Sequence, residues 1–281
     1  MVRVTSTDRR AALRAAAGIV AGSAFTAACT PAGPAPDTPA RPVPASEEPT
    51  AHEPTSHAPT SAPRTPPAAV PRPPATPRAY PHQPTHITHG PRDHPRVALT
   101  FHGQGDPALA RALLDEAERH GARVTVLAVG TWLEAHPGMA RRILDGGHDL
   151  GNHTHRHVDI NALPEAEAER EIVACAQRLR GLTGSIGTWF RPSRAVRASP
   201  AVAALARRTG YPHVLSYDVD SLDFTSPGGP AVARTVLGGI RNGSVVSLHF
   251  GYADTVAALP AVLAELHRRG LRAVTTTELL S

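Results

Sequence analysis

Two histidines four residues apart form the most chemically informative pair in this sequence. His153 and His157 lie in the segment GNHTHRH, with the hydroxyl residue Thr154 directly after the first of them. Two neutral imidazoles at this spacing can bind one divalent metal ion. The chain contains 16 histidines, so such pairs also arise by chance. The pair therefore needs support from other parts of the chain.

Other side chains that can do chemistry follow stretches that the pattern predicts to be strands. They are His102 after VALTF, Arg191 after GTWF, Asp218, Asp220 and Asp223 after VLSY, and His249 near the end of SVVSLHF. In parallel sheets and barrels, ligands gather at the carboxyl ends of the strands and on the loops that follow. We therefore expect these side chains and the histidine pair to share one site.

The elements that must position these residues alternate between strands and helices over residues 96–281. Apolar runs predict strands at about 97–101, 123–129, 187–190, 213–219, 244–250 and 271–276. Helical patterns occur at about 107–120, 139–145, 164–180, 199–208, 230–241 and 254–269. These 186 residues suffice for one domain with a substantial core. The alternation predicts an α/β fold, a parallel sheet or barrel with helices outside.

Residues 1–28 have the features of an export signal. Arg9 and Arg10 precede a short alanine-rich run, which fits a cleaved signal better than a membrane span of about 20 apolar residues. The arginine pair resembles a twin-arginine signal, and Cys29 resembles the lipidated first residue of a mature lipoprotein. Ordinary cleavage nearby, with Cys29 incidental, is the alternative. We expect an exported protein at the cell surface or outside the cell, attached to the membrane only through lipid on Cys29.

Residues 29–95 are predicted to be a disordered linker. Twenty of the 29 prolines lie between residues 30 and 95, mixed with alanine, threonine and serine. Such a stretch cannot bury enough apolar surface to fold, and it stays extended. A linker of this kind would hold a catalytic domain, residues 96–281, away from a membrane.

The charge of the chain does not indicate nucleic-acid binding. The formal net charge is +5, but four arginines and one aspartate in residues 1–28 account for +3 of it. The remaining charge of +2 is too small for a nucleic-acid-binding surface. We therefore expect no nucleic-acid partner, and we expect a monomer.

The ordered motifs of residues 96–281 resemble the polysaccharide deacetylase domain of carbohydrate esterase family 4, also called the NodB homology domain. The matching segments are NHTHRH for H-[ST]-x-x-H, FRPSR for R-P-P-[YF], DVDSLDF for D-S-x-D-W and SLHF for L-x-H. The resemblance covers the whole predicted domain and implies a distorted (β/α) barrel. It also implies a divalent metal, with zinc the expected ion, held by His153, His157 and a third ligand.

The first motif departs from the family pattern. In the family the strand ends in T-F-D-D-G, where the first aspartate is the general base and the second is a metal ligand. Here TF is followed by HGQGD at residues 102–106, so His102 replaces the base and Gly103 replaces the ligand. Asp106 is our candidate for the third metal ligand, because flanking glycines permit unusual backbone angles. Alternatively His102 ligates the metal or accepts a proton, or Asp106 only caps the following helix.

The resemblance also implies roles for the remaining motif residues. Arg191 pairs with the base, and opposite His102 its charge would disfavour protonation of the imidazole. His249 is the expected general acid for the leaving amine, and Asp220 is expected to accept a hydrogen bond from it and favour its protonated form. The residues expected to contact the substrate are Pro192, Tyr217, Phe224 and Leu248.

The expected function is removal of N-acetyl groups from a cell-wall or related polysaccharide by a metal-dependent hydrolase. Export and a long linker favour peptidoglycan over a chitin-like substrate. Two alternatives remain at this stage. One is a catalytically silent domain that only binds glycan, because both aspartates of the first motif are absent. The other is a related metal hydrolase that acts on a different amide or ester.

Overall fold

The computed structural model describes residues 77–281, which include eight β-strands and eight α-helices. The strands are β1 (His86–Ile87), β2 (Arg96–Gly103), β3 (Thr125–Ala128), β4 (Asp149–Asn152), β5 (Val214–Leu215), β6 (Val219–Asp220), β7 (Val245–His249) and β8 (Arg272–Ala273). The helices are α1 (Pro107–Arg119), α2 (Gly130–Ala135), α3 (Gly138–Asp145), α4 (Glu165–Thr183), α5 (Pro200–Thr209), α6 (Gly229–Gly239), α7 (Ala253–Arg268) and α8 (Thr276–Leu279). Two 3₁₀ turns cover Ile160–Ala162 and Asp223–Thr225.

Strand β2 lies at the centre of a parallel sheet. The strand order is β4-β3-β2-β7-β6, and β8 pairs with the first two residues of β2. Seven of the eight residues of β2 are buried, which is typical of a parallel strand whose two faces are both covered. The register between β2 and β7 places His102 beside His249. The carboxyl ends of these strands therefore meet at one edge of the sheet.

Short pieces of strand complete the other side of the structure. β1 pairs in parallel with β5, and Phe190 forms single bridges to Asn152 in β4 and to Val214 in β5. The strand predicted at 187–190 is reduced to one residue, Phe190, with two isolated bridges, and the strand predicted at 213–219 is divided into β5 and β6. These irregular connections give the expected α/β fold, a mostly parallel sheet with helices that is distorted from a regular barrel.

The helices pack on the sheet through apolar side chains. The rings of Phe101 in β2 and Phe250 after β7 stack with their centroids 5.2 Å apart. Helix α1 begins at Pro107, which suits the first turn because the N–H it lacks would have no partner there. Cys175 in α4 is fully buried, and burial raises the pKa of its thiol to about 12. This cysteine is therefore a core residue with little thiolate at neutral pH.

The predicted end of the linker at residue 95 is wrong. Ile87 is fully buried in β1, and the ring of Tyr80 stacks on Trp189 with 5.5 Å between centroids. The backbone N–H of Tyr80 also donates to Nε2 of His213, at 2.9 Å. Residues from about Tyr80 onward therefore belong to the folded domain. A two-residue strand among prolines carries too little periodicity to be recognised in the sequence.

The predicted export signal, Cys29 and the linker before residue 77 lie outside the described residues. Over residues 77–281, no helix has both the length and the apolar character needed to span a bilayer.

Candidate active site

Histidines from three separate segments meet at the carboxyl edge of the sheet. His102 lies near the end of β2, His153 directly follows β4, and His249 ends β7. The ring centroid of His102 is 4.3 Å from that of His153 and 4.3 Å from that of His249. The centroids of His153 and His157 are 4.9 Å apart. The structure thus brings together all four histidines that the motifs single out.

Three of these histidines could hold a metal ion. Ligand atoms of His102, His153 and His157 lie within 4.8 Å of one another, and this is the one such group among the described residues. Nδ1 of His153 is 3.0 Å from the carbonyl oxygen of Arg191. A carbonyl only accepts, so Nδ1 carries the proton and Nε2 keeps a lone pair. Nε2 of His153 is buried and has no hydrogen-bond partner in residues 77–281.

The environment of the group keeps its imidazoles neutral. Burial, followed by the charges of neighbouring groups, holds the pKa of both His102 and His153 well below the ordinary value of 6.5. Burial and then the charge of Arg194 lower the pKa of His157 to about 4. Metal ligation requires the neutral ring, and an oriented His153 with a free Nε2 has the arrangement of a ligating histidine. The donor set fits a divalent ion that accepts nitrogen ligands, such as zinc.

A buried glutamate positions the loop that carries the histidine pair. Glu171 of α4 accepts from the backbone N–H groups of His155 and Arg156, at 3.1 and 2.7 Å, and from Nε of Arg156 at 2.5 Å. These bonds hold the turn in which Thr154 and His157 have positive φ angles of 67° and 57°. Glu171 is not among the residues predicted from the sequence, although an acid on the buried face of an amphipathic helix is a usable signal.

Arg191 is buried and fixed by three contacts. Its Nε donates to the carbonyl of Leu215 at 3.2 Å and its Nη2 to that of Ser216 at 3.0 Å. Its Nη1 lies 3.2 Å from Nε2 of His102. A guanidinium only donates, so Nε2 of His102 accepts and the proton of the neutral ring lies on Nδ1. The expected pairing of Arg191 with His102 is present, although burial is the largest cause of the low pKa of His102.

The contact with Arg191 uses the only lone pair of neutral His102. An imidazole in this state has no second lone pair to bind a metal or accept a proton. His102 can take either role only after its ring turns away from Arg191. His153, by contrast, already presents a free lone pair.

Asp106 is not a member of the histidine group. Its Oδ1 accepts from the backbone N–H of Ala108 at 2.8 Å, which makes it the N-cap of α1. The prediction of Asp106 as the third ligand is therefore replaced by His102 in the group. Gly103 has no side chain to act as a ligand, and there is little room for one, because an added Cβ would lie 2.9 Å from Cγ1 of Val126.

The carboxylate that holds His249 is Asp223 rather than Asp220. Oδ1 of Asp223 is 2.6 Å from Nδ1 of His249, and Oδ2 accepts from the His249 backbone N–H at 2.8 Å. Thr255 donates to the same Oδ2 at 2.6 Å. Burial would raise the pKa of Asp223, but the hydrogen bonds from His249 and Thr255 outweigh it and lower the pKa. The carboxylate is therefore ionised and fixes the His249 ring.

Asp220 makes no hydrogen bond to His249, so the prediction of a hydrogen bond between them is wrong. Its Oδ1 accepts from the backbone N–H of Leu222 at 3.1 Å, and its charge contributes to raising the pKa of Tyr217 after burial. Asp220 ends β6, whereas Asp223 begins a 3₁₀ turn that carries it back to β7.

A cavity of about 400 Å³ opens beside these residues. Its lining includes Pro192, Tyr217 and Phe224, three of the four predicted substrate contacts. Further lining residues are His102, Gln104, His157, Arg194, Ala195, Val196, Asp220, Ser247, His249 and Tyr252. The fourth predicted contact, Leu248, is a core residue instead. Successive side chains of β7 point to opposite faces, so Ser247 and His249 face the cavity and Leu248 does not.

Comparison with known proteins shows the family to which the chain belongs. A family model described as polysaccharide deacetylase matches residues 89–214. The chain is 31% identical to a peptidoglycan-N-acetylglucosamine deacetylase of Bacillus cereus, over 66% of this chain and 87% of that one. It is 30% identical to a chitooligosaccharide deacetylase of Sinorhizobium fredii, over 63% and 87%. The chain belongs to the polysaccharide deacetylase family, carbohydrate esterase family 4.

Solved structures of this family have the same fold. A peptidoglycan N-acetylglucosamine deacetylase matches with a TM-score of 0.66 at 25% identity, covering 70% of this chain and 92% of that one. A protein of Bacillus anthracis, described as a pseudoenzyme of carbohydrate esterase family 4, matches with a TM-score of 0.66 at 24% identity, covering 71% and 70%. The second match concerns the fold alone.

Proposed function

We propose that this chain is a divalent-metal-dependent hydrolase that removes N-acetyl groups from a cell-wall polysaccharide, with peptidoglycan as the substrate. The observation that carries the proposal is the free, buried Nε2 of His153 within a group of three neutral imidazoles, next to the His249–Asp223 pair. Deacetylation of an amide needs an activated water, a polarised carbonyl and a proton for the amine. The cavity holds candidate residues for each of these needs.

His153 and His157 would hold the metal, with His102 as third ligand when its ring is free of Arg191. A zinc-like ion bound there would supply a polarised acetyl carbonyl and a water of lowered pKa. The chain contributes the orientation of His153, because its Nδ1 donates to the carbonyl of Arg191.

His249 would give a proton to the leaving nitrogen as the carbon–nitrogen bond breaks. Asp223 accepts from Nδ1 at 2.6 Å, which fixes the orientation of the ring. Since Nδ1 faces Asp223, the opposite nitrogen Nε2 is the one available to the cavity, which His249 lines. This arrangement suits a general acid.

The proton of the attacking water needs an acceptor. Asp220, the carboxylate that lines the same cavity, takes this role when His102 ligates the metal, and His102 takes it only when its Nε2 is free of both Arg191 and the metal. Whichever of the two is free would take the one proton as water forms its bond to the acetyl carbon.

Acetate release from N-acetylated chitooligosaccharide and from peptidoglycan tests the proposal. The whole chain, incubated with zinc, should release acetate, and a chelator should abolish the release. His153→Ala should lose it, whereas His155→Ala is the matched control, because His155 lies in the same loop outside the histidine group. Release that persists in His153→Ala would refute the metal-dependent mechanism.

A silent glycan-binding domain is the second candidate, and one observation favours it. The histidine group contains no carboxylate in residues 77–281, and the lone pair of His102 is engaged by Arg191. Such a domain would bind chitooligosaccharide or peptidoglycan in the same cavity and release no acetate with any divalent ion.

We also propose that the protein is exported and held at the cell surface. Support comes from the arginine pair and apolar run of residues 1–28 and from Cys29 at the end of that run. Cys29→Ala should move the protein from the membrane fraction to the soluble exported fraction. An unchanged distribution would exclude lipid attachment at this cysteine.

A further inference from the structure

One cation that lines the cavity has no partner. The side chain of Arg194 is exposed and lines the cavity beside His157. Its guanidinium forms no hydrogen bond or ion pair with any residue of the described chain. The pKa of His157 is lowered mainly by burial, and the charge of Arg194 lowers it further. Arg194 is thus an unpaired cation close to the proposed metal ligands.

The backbone around Arg194 is held in an uncommon conformation. Its φ angle is 53°, in the left-handed region that side-chain-bearing residues rarely adopt. The preceding residue, Ser193, is buried, accepts from Oγ1 of Thr154 at 2.9 Å and donates to the carbonyl of Val158. These bonds tie the loop of Arg194 to the loop of the histidine pair. Residues kept in such conformations often serve a functional site.

The two carboxylates of the site bond to other residues. Asp223 accepts from His249 at 2.6 Å, and Asp220 accepts from the backbone N–H of Leu222 at 3.1 Å. Among the described residues, Arg194 therefore has no carboxylate at ion-pair distance. The same cavity is lined by three aromatic residues, Tyr217, Phe224 and Tyr252, and the faces of aromatic rings suit sugar rings. A neutral N-acetyl sugar would use these rings and leave Arg194 unpaired.

We propose that Arg194 is a specificity-determining residue that binds a carboxylate on the sugar whose acetamido group is removed. This inference rests on the proposed function and narrows its substrate to an N-acetylated hexosamine with a carboxylate near the acetamido group. The lactyl-bearing sugar of peptidoglycan has this chemistry where no stem peptide is joined to its lactyl carboxylate, because its lactyl ether and its acetamido group occupy neighbouring ring carbons. A guanidinium matches a carboxylate with two parallel hydrogen bonds.

Binding of a matched set of sugars tests the assignment. The probes are the peptidoglycan disaccharide with a free lactyl carboxylate, its methyl ester, and neutral chitobiose. Calorimetry on the whole chain, with zinc and again with a chelator, should give an affinity for the free acid at least about tenfold above that for the ester. Arg194→Gln should remove this preference and leave chitobiose binding unchanged.

Two further variants separate the possible outcomes. Arg197→Gln is the matched control, because Arg197 is an exposed arginine three residues away that does not line the cavity. It should keep the preference. The inference is overturned if Arg194→Gln weakens all three sugars equally, if the ester binds as well as the acid, or if no sugar binds. It is also overturned if Arg194→Gln lowers kcat for acid and ester alike at unchanged affinity.

The same measurements distinguish this inference from the proposed function. The His153→Ala variant loses the proposed metal site but keeps Arg194. A carboxylate preference that survives in His153→Ala supports the role of Arg194, whether or not the wild-type chain releases acetate. Acetate release without any carboxylate preference would support the proposed function and overturn the role of Arg194.

Discussion

Nη1 of Arg191 lies 3.2 Å from Nε2 of His102, and this contact determines what His102 can do. The guanidinium is held by the carbonyls of Leu215 and Ser216 as well, so it is not free to move. A neutral imidazole has one lone pair, whereas a carboxylate has about four acceptor sites. Only a carboxylate can therefore pair with Arg191 and still accept a proton.

His102→Asp should increase acetate release for this reason. The new carboxylate would accept from Arg191 with one oxygen and take the proton of water with the other. General bases contribute about 10²–10⁴ in rate, so we expect at least a tenfold rise in kcat/KM on chitooligosaccharide. His102→Asn, which has no basic group, is the control and should show no rise. Equal rates for the two variants would contradict the argument from lone pairs.

Zinc binding should depend on His153 and not on His155. The wild-type chain should bind one zinc ion per molecule, because its described residues contain one group of suitable ligands. Loss of an outer contact to a ligating histidine already costs about 10–100-fold in affinity. Removal of the ligand itself, in His153→Ala, should cost more than about 100-fold by competition with a chelating dye. A comparable loss in His155→Ala would place the ion elsewhere.

Asp223→Asn and Asp220→Asn should have different effects on catalysis. Asp223 is fully buried and holds His249 through two bonds, so the amide should misplace the ring and lower kcat by about 10²-fold or more. Asp220→Asn should lower kcat much less, because Asp220 bonds to Leu222 instead. Steady-state assays on both variants, with circular dichroism to verify folding, provide the comparison. The reverse order would restore the role first assigned to Asp220.

Acid should destabilise the domain through His148. This ring is buried, Nδ1 accepts from the Val124 N–H at 3.1 Å, and burial lowers its pKa despite the opposing effect of Glu118. Its folded pKa is below the unfolded value of 6.5, so its contribution is complete above pH 6.5 and is lost as pH falls through the folded pKa. The thermal midpoint, measured with a chelator, should fall below pH 6.5.

His148→Gln is the variant that isolates this effect. Its amide oxygen can accept from Val124 but does not titrate. The midpoint of the variant should therefore depend less on pH between 6.5 and 5 than that of the wild-type chain. The remaining dependence belongs to other buried histidines, including His102 and His153. Parallel curves for the two proteins would exclude His148 as a source of acid sensitivity.

The sequence predicts the histidines of the site because strand ends determine where they lie. His102 lies near the end of β2, His249 ends β7 and His153 directly follows β4, and parallel strands bring their carboxyl ends together. Arg191 follows a segment that forms only two isolated bridges, yet it reaches the same edge. The order of the motifs along the chain and the alternation of strands and helices are enough to predict that these residues lie at one edge of the sheet.

The errors concern residues whose side-chain direction depends on local backbone geometry. Asp220 and Asp223 are three positions apart, and only the 3₁₀ turn at Asp223–Thr225 decides which one faces His249. Asp106 is a helix cap because α1 begins at the next residue. Leu248 points to the core because its neighbours in β7 point to the cavity. Spacing alone does not carry this information.

The pairing of β1 with β5 has a practical consequence for shortened forms of the protein. Backbone N–H groups of Val214 and Ser216 donate to the carbonyls of Thr85 and Ile87, at 2.8 and 2.7 Å. A fragment that starts at Arg96 would expose these donors and the strand they belong to. Unprotected strands of this kind recruit copies of themselves and precipitate. Insolubility of such a fragment would therefore result from the loss of β1 and would not show that the domain is catalytically inactive.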